Sequence, residues 1–262
     1  MSTLATPVPY EVAPRRDAIS HARASRDISP TAMARLSAVL LLATIVGGVF
    51  AQGFLSDRLI VAGDAAATAR NIMANKSMVR AAFAIFMIEM ACQIGTTAAM
   101  YELLKPVSRS LSTTAAVFGY VGSGIKILSR LFFYAPLFVL SGSPYLSAFN
   151  QGQLEAISSL LIRINDLGAG TACIFFGINS VMAGYLMLRA PFLPRVLGVL
   201  GVIGGAGWLT YLYPPLASTV FLPVALLALV GCAVTIGWFL IRGVDERKWR
   251  EMATSSSSSS WR

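Results

Sequence analysis

The chain has 262 residues, of which 56% are hydrophobic and 13% charged, and its formal net charge is +9. Soluble domains carry about 25% charged residues, so a mean hydropathy of +0.68 excludes an ordinary globular core in water. The basic residues flank apolar segments and form no basic face with interleaved aromatic residues, which favours membrane topology over nucleic-acid binding. The predicted fold class is all-α, an integral membrane bundle of six transmembrane helices.

The N-terminal tail, residues 1–33, is polar and rich in proline and arginine, and such a composition predicts disorder. Residues 34–243 form the predicted transmembrane domain, in which each apolar segment is near the roughly 20 residues that cross the hydrocarbon. Residues 244–262 form a predicted cytoplasmic, Ser-rich tail. The predicted spans are Leu36–Leu55, Met78–Leu104, Thr113–Leu140, Ser159–Leu188, Val196–Tyr213 and Thr219–Ile241.

The connecting segments carry their own signals. Asp64 is a good N-cap for an alanine-rich helix over Ala65–Ala74. The segment Ser141–Ser158 favours a short interfacial helix, and the run Ser255–Ser260 is typical of a flexible low-complexity end.

Lysine and arginine follow the positive-inside rule. One side of the predicted membrane collects most of the basic residues, and the opposite side has only three in one longer loop. Both termini are therefore predicted to be cytoplasmic. The residues of the basic side, apart from the N-terminal arginines, are Lys105, Arg109, Arg189, Arg195, Arg242, Arg247, Lys248 and Arg250.

Five charged residues fall inside the predicted spans: Glu89, Lys126, Arg130, Arg163 and Asp166. A charge in the hydrocarbon costs about 3 kcal/mol on insertion scales, and such residues are functional candidates by default. Three positive charges against two negative leave one surplus cation.

Helical phase predicts where these charges point. Residues spaced by threes and fours share one face of a helix, and small residues mark the faces on which membrane helices pack. The charges are therefore predicted on packed faces of the second to fourth spans, in one layer of the outer half of the membrane, with the first four spans as the walls of a polar interior. The fourth span reads Arg163, Asp166, Gly170, Cys173, Gly177, Ser180 and Gly184 along this face, and the first span adds Thr44, Gly48 and Gln52.

Two interpretations of this layer stay open. The first is a structural network with the ion pairs Glu89–Lys126 and Asp166–Arg130, because buried pairs can fix helix register without binding anything. The second is a site for a small anionic or amphiphilic ligand or a lipid headgroup, with the cations as contacts and the carboxylates orienting them. The candidate ligand-binding residues are Lys126, Arg130, Arg163, Glu89, Asp166, Gln93 and Asn165.

Catalytic patterns are missing from the sequence, which contains no H-E-x-x-H and no G-x-S-x-G motif. The sole histidine, His21, lies in the tail, so we predict no metal and no cofactor, and the sequence favours a non-enzymatic protein. Cys92, Cys173 and Cys232 are predicted free thiols. The glycine-rich fifth span predicts helix packing through Gly201 and Gly205, within the chain or toward a second copy or a membrane partner.

Several stretches resemble a known family. They are Arg58–Ile72, Ser143–Phe149, Phe175–Gly177 and Phe192–Gly198. In their order they resemble the bacterial multi-pass membrane family catalogued as domain of unknown function 4386, over about Ala34 to Ile241. The resemblance implies six helices in a bacterial inner (plasma) membrane and supplies no activity.

Overall fold

The computed structural model describes residues 29–258, and within that range the chain is α-helical without strands. Six helical segments, each a long α-helix or one extended by a following turn such as the 3₁₀ turn Leu209–Leu212, are long and apolar enough to cross a membrane, as the sequence predicts. We number the α-helices in chain order. They are α1 (Pro30–Val49), α2 (Ala65–Ala74), α3 (Lys76–Leu104), α4 (Arg109–Tyr134), α5 (Pro136–Val139), α6 (Gln151–Arg189), α7 (Arg195–Trp208), α8 (Pro214–Ile241) and α9 (Glu246–Ser258).

The spanning segments begin where capping residues satisfy the first backbone N–H groups. Ser29 accepts a hydrogen bond from the N–H of Ala32 (3.1 Å), and Pro30 occupies the first turn, so α1 begins before the predicted Leu36. Asn150 and Gln153 form a reciprocal capping box with both bonds at 2.9 Å. This box starts α6 at Gln151, well before the predicted Ser159.

Two connections follow the sequence closely. The Asp64 carboxylate accepts a hydrogen bond from the N–H of Ala67 (2.8 Å) and caps α2, which confirms the predicted helix. The connection before α6 holds one 3₁₀ turn, Pro144–Leu146, and the predicted interfacial segment belongs to α6 from Gln151 onward. Residues Phe50–Ser56 extend α1 as a π-helix.

The six spanning helices form a closed ring. Each packs against its two neighbours in chain order, α1 on α3, α3 on α4, α4 on α6, α6 on α7 and α7 on α8, and α8 returns to α1. We call the side that holds Pro30 and Ile241 the inner side; that it faces the cytoplasm stays a prediction. Large apolar side chains such as Leu222 and Val46 cover the outside of the ring, as lipid contact requires.

Two apolar clusters close the ends of the ring. The outer cluster surrounds Phe86 and Phe133, whose rings meet edge to face at 5.7 Å. The inner cluster includes Leu103, Leu186 and Phe239. Glu89 and Gln93 lie along α3 between Phe86 of the outer cluster and Leu103 of the inner cluster.

Glycines set the α6–α7 contact. A Cβ at Gly205 would lie 2.8 Å from the carbonyl oxygen of Gly177, and one at Gly201 would lie 3.2 Å from Cα of Gly184. Two helix backbones approach this closely only where side chains are absent. The predicted packing role of Gly201 and Gly205 is therefore confirmed within the chain.

Helix α9 docks on the inner end. The indole Nε1 of Trp249 donates a hydrogen bond to the carbonyl oxygen of Leu103 (2.9 Å) near the end of α3, which ties α9 to the ring. Hydrogen bonds from Thr31 hold the pKa of Glu246 below its ordinary value.

The tails are only partly described. The predicted Ser-rich tail is helical as far as Ser258, because the docked indole and the Arg250–Glu246 pair (3.1 Å) support the helix. The remainder of the Ser255–Ser260 run and residues 1–28, with His21, lie outside the described residues. The domain boundaries at 33 and 243 stay predictions.

Candidate functional site

An ion pair joins α3 to α4 in the interior of the ring. Nζ of Lys126 lies 2.6 Å from Oε1 of Glu89. The Glu89 side chain is 4% exposed and that of Lys126 is 19% exposed. By helical rise each lies about 22 Å from the apolar inner end of its helix, counted from Leu104 and Leu111. The two charges thus share one level, and the predicted pairing is confirmed.

Helix α1 makes room for this pair. A Cβ at Gly48 would lie 2.9 Å from Oε1 of Glu89, so a side chain there would push the carboxylate away. The Thr44 hydroxyl donates to the carbonyl oxygen of Leu40 (2.9 Å) and approaches that of Glu89 (3.5 Å). Gln52 instead donates to Asp57 (2.7 Å), because the π-helix changes the phase of α1 and turns Gln52 out of the predicted polar face.

Arg130 is buried (4% exposed) and has a different set of partners. Its guanidinium carbon lies 3.6 Å from the centroid of the Phe86 ring, a close cation–π contact. Its Nη1 donates to Oδ1 of Asn165 (3.2 Å), and Nδ2 of Asn165 donates to Asp166 (3.0 Å). The predicted direct pair of Asp166 with Arg130 is wrong, because the Asn165 amide stands between the two charges.

Arg163 and Asp166 are exposed on α6, although the small residues of the same register are packed. The prediction that all five charges lie on packed faces is therefore wrong for these two. Counted from Leu188, they lie about 38 and 33 Å along the helix, beyond a hydrocarbon core of about 30 Å. Sequence reasoning missed this because α6, with 39 residues, begins earlier than expected.

A cavity of about 350 Å³ runs along the axis of the ring, and all six spanning helices line it. The fifth and sixth spans thus join the four that were predicted as walls. The Glu89–Lys126 pair lies toward the outer end and Phe239 at the inner end. The lining also includes Ser37, Thr44, Gln93, Thr96, Met100, Cys173, Asn179, Ser180, Met187, Leu197, Trp208, Cys232 and Thr235.

The predicted site residues divide into two groups. Glu89, Lys126 and Gln93 line the cavity. The remaining four belong to the network around Arg130 or to the exposed face of α6, outside that lining: Arg130, Arg163, Asn165 and Asp166.

Asn179 and Trp208 are among the lining residues that the sequence did not predict in the polar interior. Asn179 donates to the carbonyl oxygen of Ala115 on α4 (2.7 Å), and an asparagine in an apolar span is itself a signal of interior position. Trp208, the last residue of α7, also lines the cavity.

The three cysteines are free thiols, as predicted, and Cys173 and Cys232 belong to the cavity lining. Among residues 29–258, no group of three or more His, Cys, Asp and Glu side chains could hold a metal ion.

A closed ring of six apolar helices around a central cavity defines a multi-pass α-helical membrane protein. The chain belongs to the family described as Domain of unknown function (DUF4386), which matches residues 36–243. It is 27% identical over 173 residues to an uncharacterized protein of Archaeoglobus fulgidus, a match that covers 65% of this chain and 86% of that protein. No solved structure matches the chain significantly. Because this relative is archaeal, the expected bacterial membrane stays a prediction.

Proposed function

We propose that this protein binds one small amphiphilic molecule inside the ring of spanning helices. The observation that carries the proposal is the cavity of about 350 Å³ with the Glu89–Lys126 pair toward one end. This volume falls at the small end of the usual range for ligand pockets, about 300–1,000 Å³. By helical rise the wall runs about 21 Å from Cys173 to Met187, which suits an elongated molecule.

Most polar side chains of the wall are already satisfied by backbone carbonyl oxygens. Ser37 donates to Ala34 (2.8 Å), and Ser180 donates to Gly201 (2.9 Å). The other internally bonded lining groups are Thr44, Thr96, Asn179 and Thr235. Such groups offer little to a ligand, so the inner part of the cavity acts as an apolar wall and the ion pair as its polar end.

Selectivity must come from the polar end. Moving a hydrocarbon chain from lipid into the cavity gains little, since lipid tails are as apolar as a leucine-lined wall. A headgroup that bonds to Glu89 and Lys126, however, exchanges its contacts at the membrane surface for hydrogen bonds to charged groups, which are stronger than bonds between neutral groups. A headgroup contact at Glu89 and Lys126 therefore distinguishes the ligand from bulk lipid.

The anionic version of the ligand has weaker support. Lys126 is already paired with Glu89, and Arg163, the surplus cation of the sequence, is exposed on α6 outside the cavity lining.

We place the protein in a bacterial inner membrane. Both termini are cytoplasmic in this proposal, on the distribution of lysine and arginine between the loops.

A structural scaffold is the second candidate. The Arg130–Asn165–Asp166 network joins α4 to α6 outside the cavity lining, which favours a structural role for that group. In this account a partner chain packs on the outside of the ring, because Gly201 and Gly205 are already used in the α6–α7 contact, and the cavity binds nothing.

Photo-crosslinking separates the two candidates. A dodecanol derivative with a diazirine in its chain is incorporated with the purified protein into lipid nanodiscs, and the labelled peptides are mapped by mass spectrometry. We expect labels on inner lining residues such as Met187 and Leu197, suppressed by excess unlabelled dodecanol. Cys232→Phe should block this labelling by filling the cavity, whereas Ala233→Phe, on the exposed face of the same helix, should not. Labels confined to exposed faces would support the scaffold.

A further inference from the structure

The Glu89 carboxylate has one oxygen without a hydrogen bond. Oε1 is bonded to Lys126, but Oε2 accepts no hydrogen bond from any described residue. The Glu89 side chain is buried, with 4% of its surface exposed. A buried carboxylate oxygen left without a donor is costly. Because Glu89 is part of the cavity lining, a molecule in the cavity can supply that donor.

The neighbouring groups do not supply it. The Thr44 hydroxyl is committed to backbone carbonyl oxygens, and Gly48 has no side chain to offer. Lys126 reaches only Oε1, and its ammonium carries three donors, so it retains capacity for a further acceptor.

The charges around this point balance. Within the cavity lining the charged residues are Glu89 and Lys126, which together carry no net charge. Outside the lining, Arg130 interacts electrostatically with Glu89 and, less strongly, with Asp166, so that the charges of these four residues sum to zero. A net charge on the ligand would therefore enter a neutral, poorly solvated site at a desolvation cost without a counter-ion.

Building on the proposed amphiphile site, we infer that the headgroup is an uncharged hydroxyl and that the ligand class is a long-chain or isoprenoid alcohol. The hydroxyl hydrogen is donated to Oε2 of Glu89. The hydroxyl oxygen accepts a hydrogen bond from the ammonium of Lys126. One hydroxyl group thus gives Glu89 the donor that it lacks and Lys126 a further acceptor, without adding a charge.

Headgroup competition tests this assignment. Unlabelled dodecanol, dodecyl phosphate and dodecylamine share one chain and differ in the head, and each competes with the diazirine dodecanol in nanodiscs at equal mole fraction. We expect dodecanol to suppress the cavity labels at about tenfold lower mole fraction than either charged analogue, the effect of a hydrogen bond to a charged group. Glu89→Gln should weaken the labelling by a similar factor.

The outcomes are distinguishable. Stronger competition by dodecyl phosphate overturns the hydroxyl assignment in favour of an anionic head, and stronger competition by dodecylamine overturns it in favour of a cation. Equal competition by all three also contradicts it. Failure of diazirine derivatives of all three amphiphiles to label the cavity of the wild-type protein contradicts the proposed function itself, whereas labelling by a charged derivative alone contradicts only the hydroxyl assignment.

Discussion

Gly48 on α1 faces the carboxylate of Glu89 on α3 so closely that a Cβ at Gly48 would lie 2.9 Å from Oε1. The same oxygen holds Lys126 at 2.6 Å. The absence of a side chain at Gly48 on α1 therefore leaves room for the Glu89 carboxylate of α3 to meet the Lys126 ammonium of α4. This three-helix contact supports the predictions about the ion pair.

Gly48→Ala should displace the carboxylate and weaken its bond to Lys126. We expect a loss of about 1–3 kcal/mol in the free energy of unfolding, typical of overpacking, together with weaker cavity labelling. Gly53→Ala is the matched control on the same segment, since nothing lies within 4 Å of a Cβ there. Equal free energies of unfolding for the two variants in a detergent denaturation series would show that the close contact does not affect stability.

Lys126→Met should destabilise the protein more than removal of the whole pair. Loss of one partner leaves the buried Glu89 carboxylate uncompensated, at a cost of about 3–5 kcal/mol. The double variant Glu89→Gln/Lys126→Met removes both charges and should recover much of that loss. Unfolding of the wild type, both single variants and the double variant gives the coupling free energy directly. Additive effects would show that the two charges act independently.

Gly184→Ala should separate α6 from α7. Its Cβ would lie 2.7 Å from the backbone nitrogen of Val202 and 2.8 Å from the carbonyl oxygen of Gly198. Backbone atoms cannot move aside as a flexible side chain can, so we expect a loss of at least about 1–3 kcal/mol. Gly237→Ala, with open space around its Cβ, is the control and should leave the thermal midpoint unchanged.

Asn165→Leu should leave the guanidinium of Arg130 without its amide acceptor. The buried donor then costs about 1–3 kcal/mol, measurable as a lower thermal midpoint. The effect on cavity labelling should be small, because neither residue belongs to the cavity lining. Strong loss of labelling with unchanged stability would instead connect this network to the ligand site.

Helix α9 should undock in acid. Hydrogen bonds from Thr31 depress the pKa of Glu246, and the N–H of Lys248 depresses the pKa of Asp245. A depressed pKa contributes stability above the ordinary values, about 3.9–4.3, and this contribution is lost as the pH falls through the folded-state pKa values. Fluorescence of Trp249 should report the loss, after subtraction of the signal of a Trp249→Phe variant. Glu246→Gln should flatten the transition, and an unchanged profile would exclude Glu246 as its source.

The sequence predicted the spans and one ion pair because both depend on local pattern. Apolar runs define the helices, and the matched depth of Glu89 and Lys126 follows from helical rise. The Asp64 cap was predictable for the same reason.

Other features depend on tertiary packing. The amide of Asn165 between Arg130 and Asp166 cannot be inferred from helical phase, because it requires the spacing between α4 and α6. The closed ring likewise cannot be predicted from the sequence, since the contact of α8 with α1 produces no local pattern of residues. The exposure of Arg163 and Asp166 was missed because a capping box at Asn150 lengthened α6 outward.

The most direct test is a crystal structure of the protein with dodecanol brominated at the end of its chain. Anomalous scattering locates the bromine independently of the rest of the density. We predict a bromine peak inside the cavity, on the inner side of the ion pair, with the hydroxyl at Glu89 and Lys126. Bromine peaks found only on the outer faces of the ring, with the cavity free of the ligand, would contradict the account.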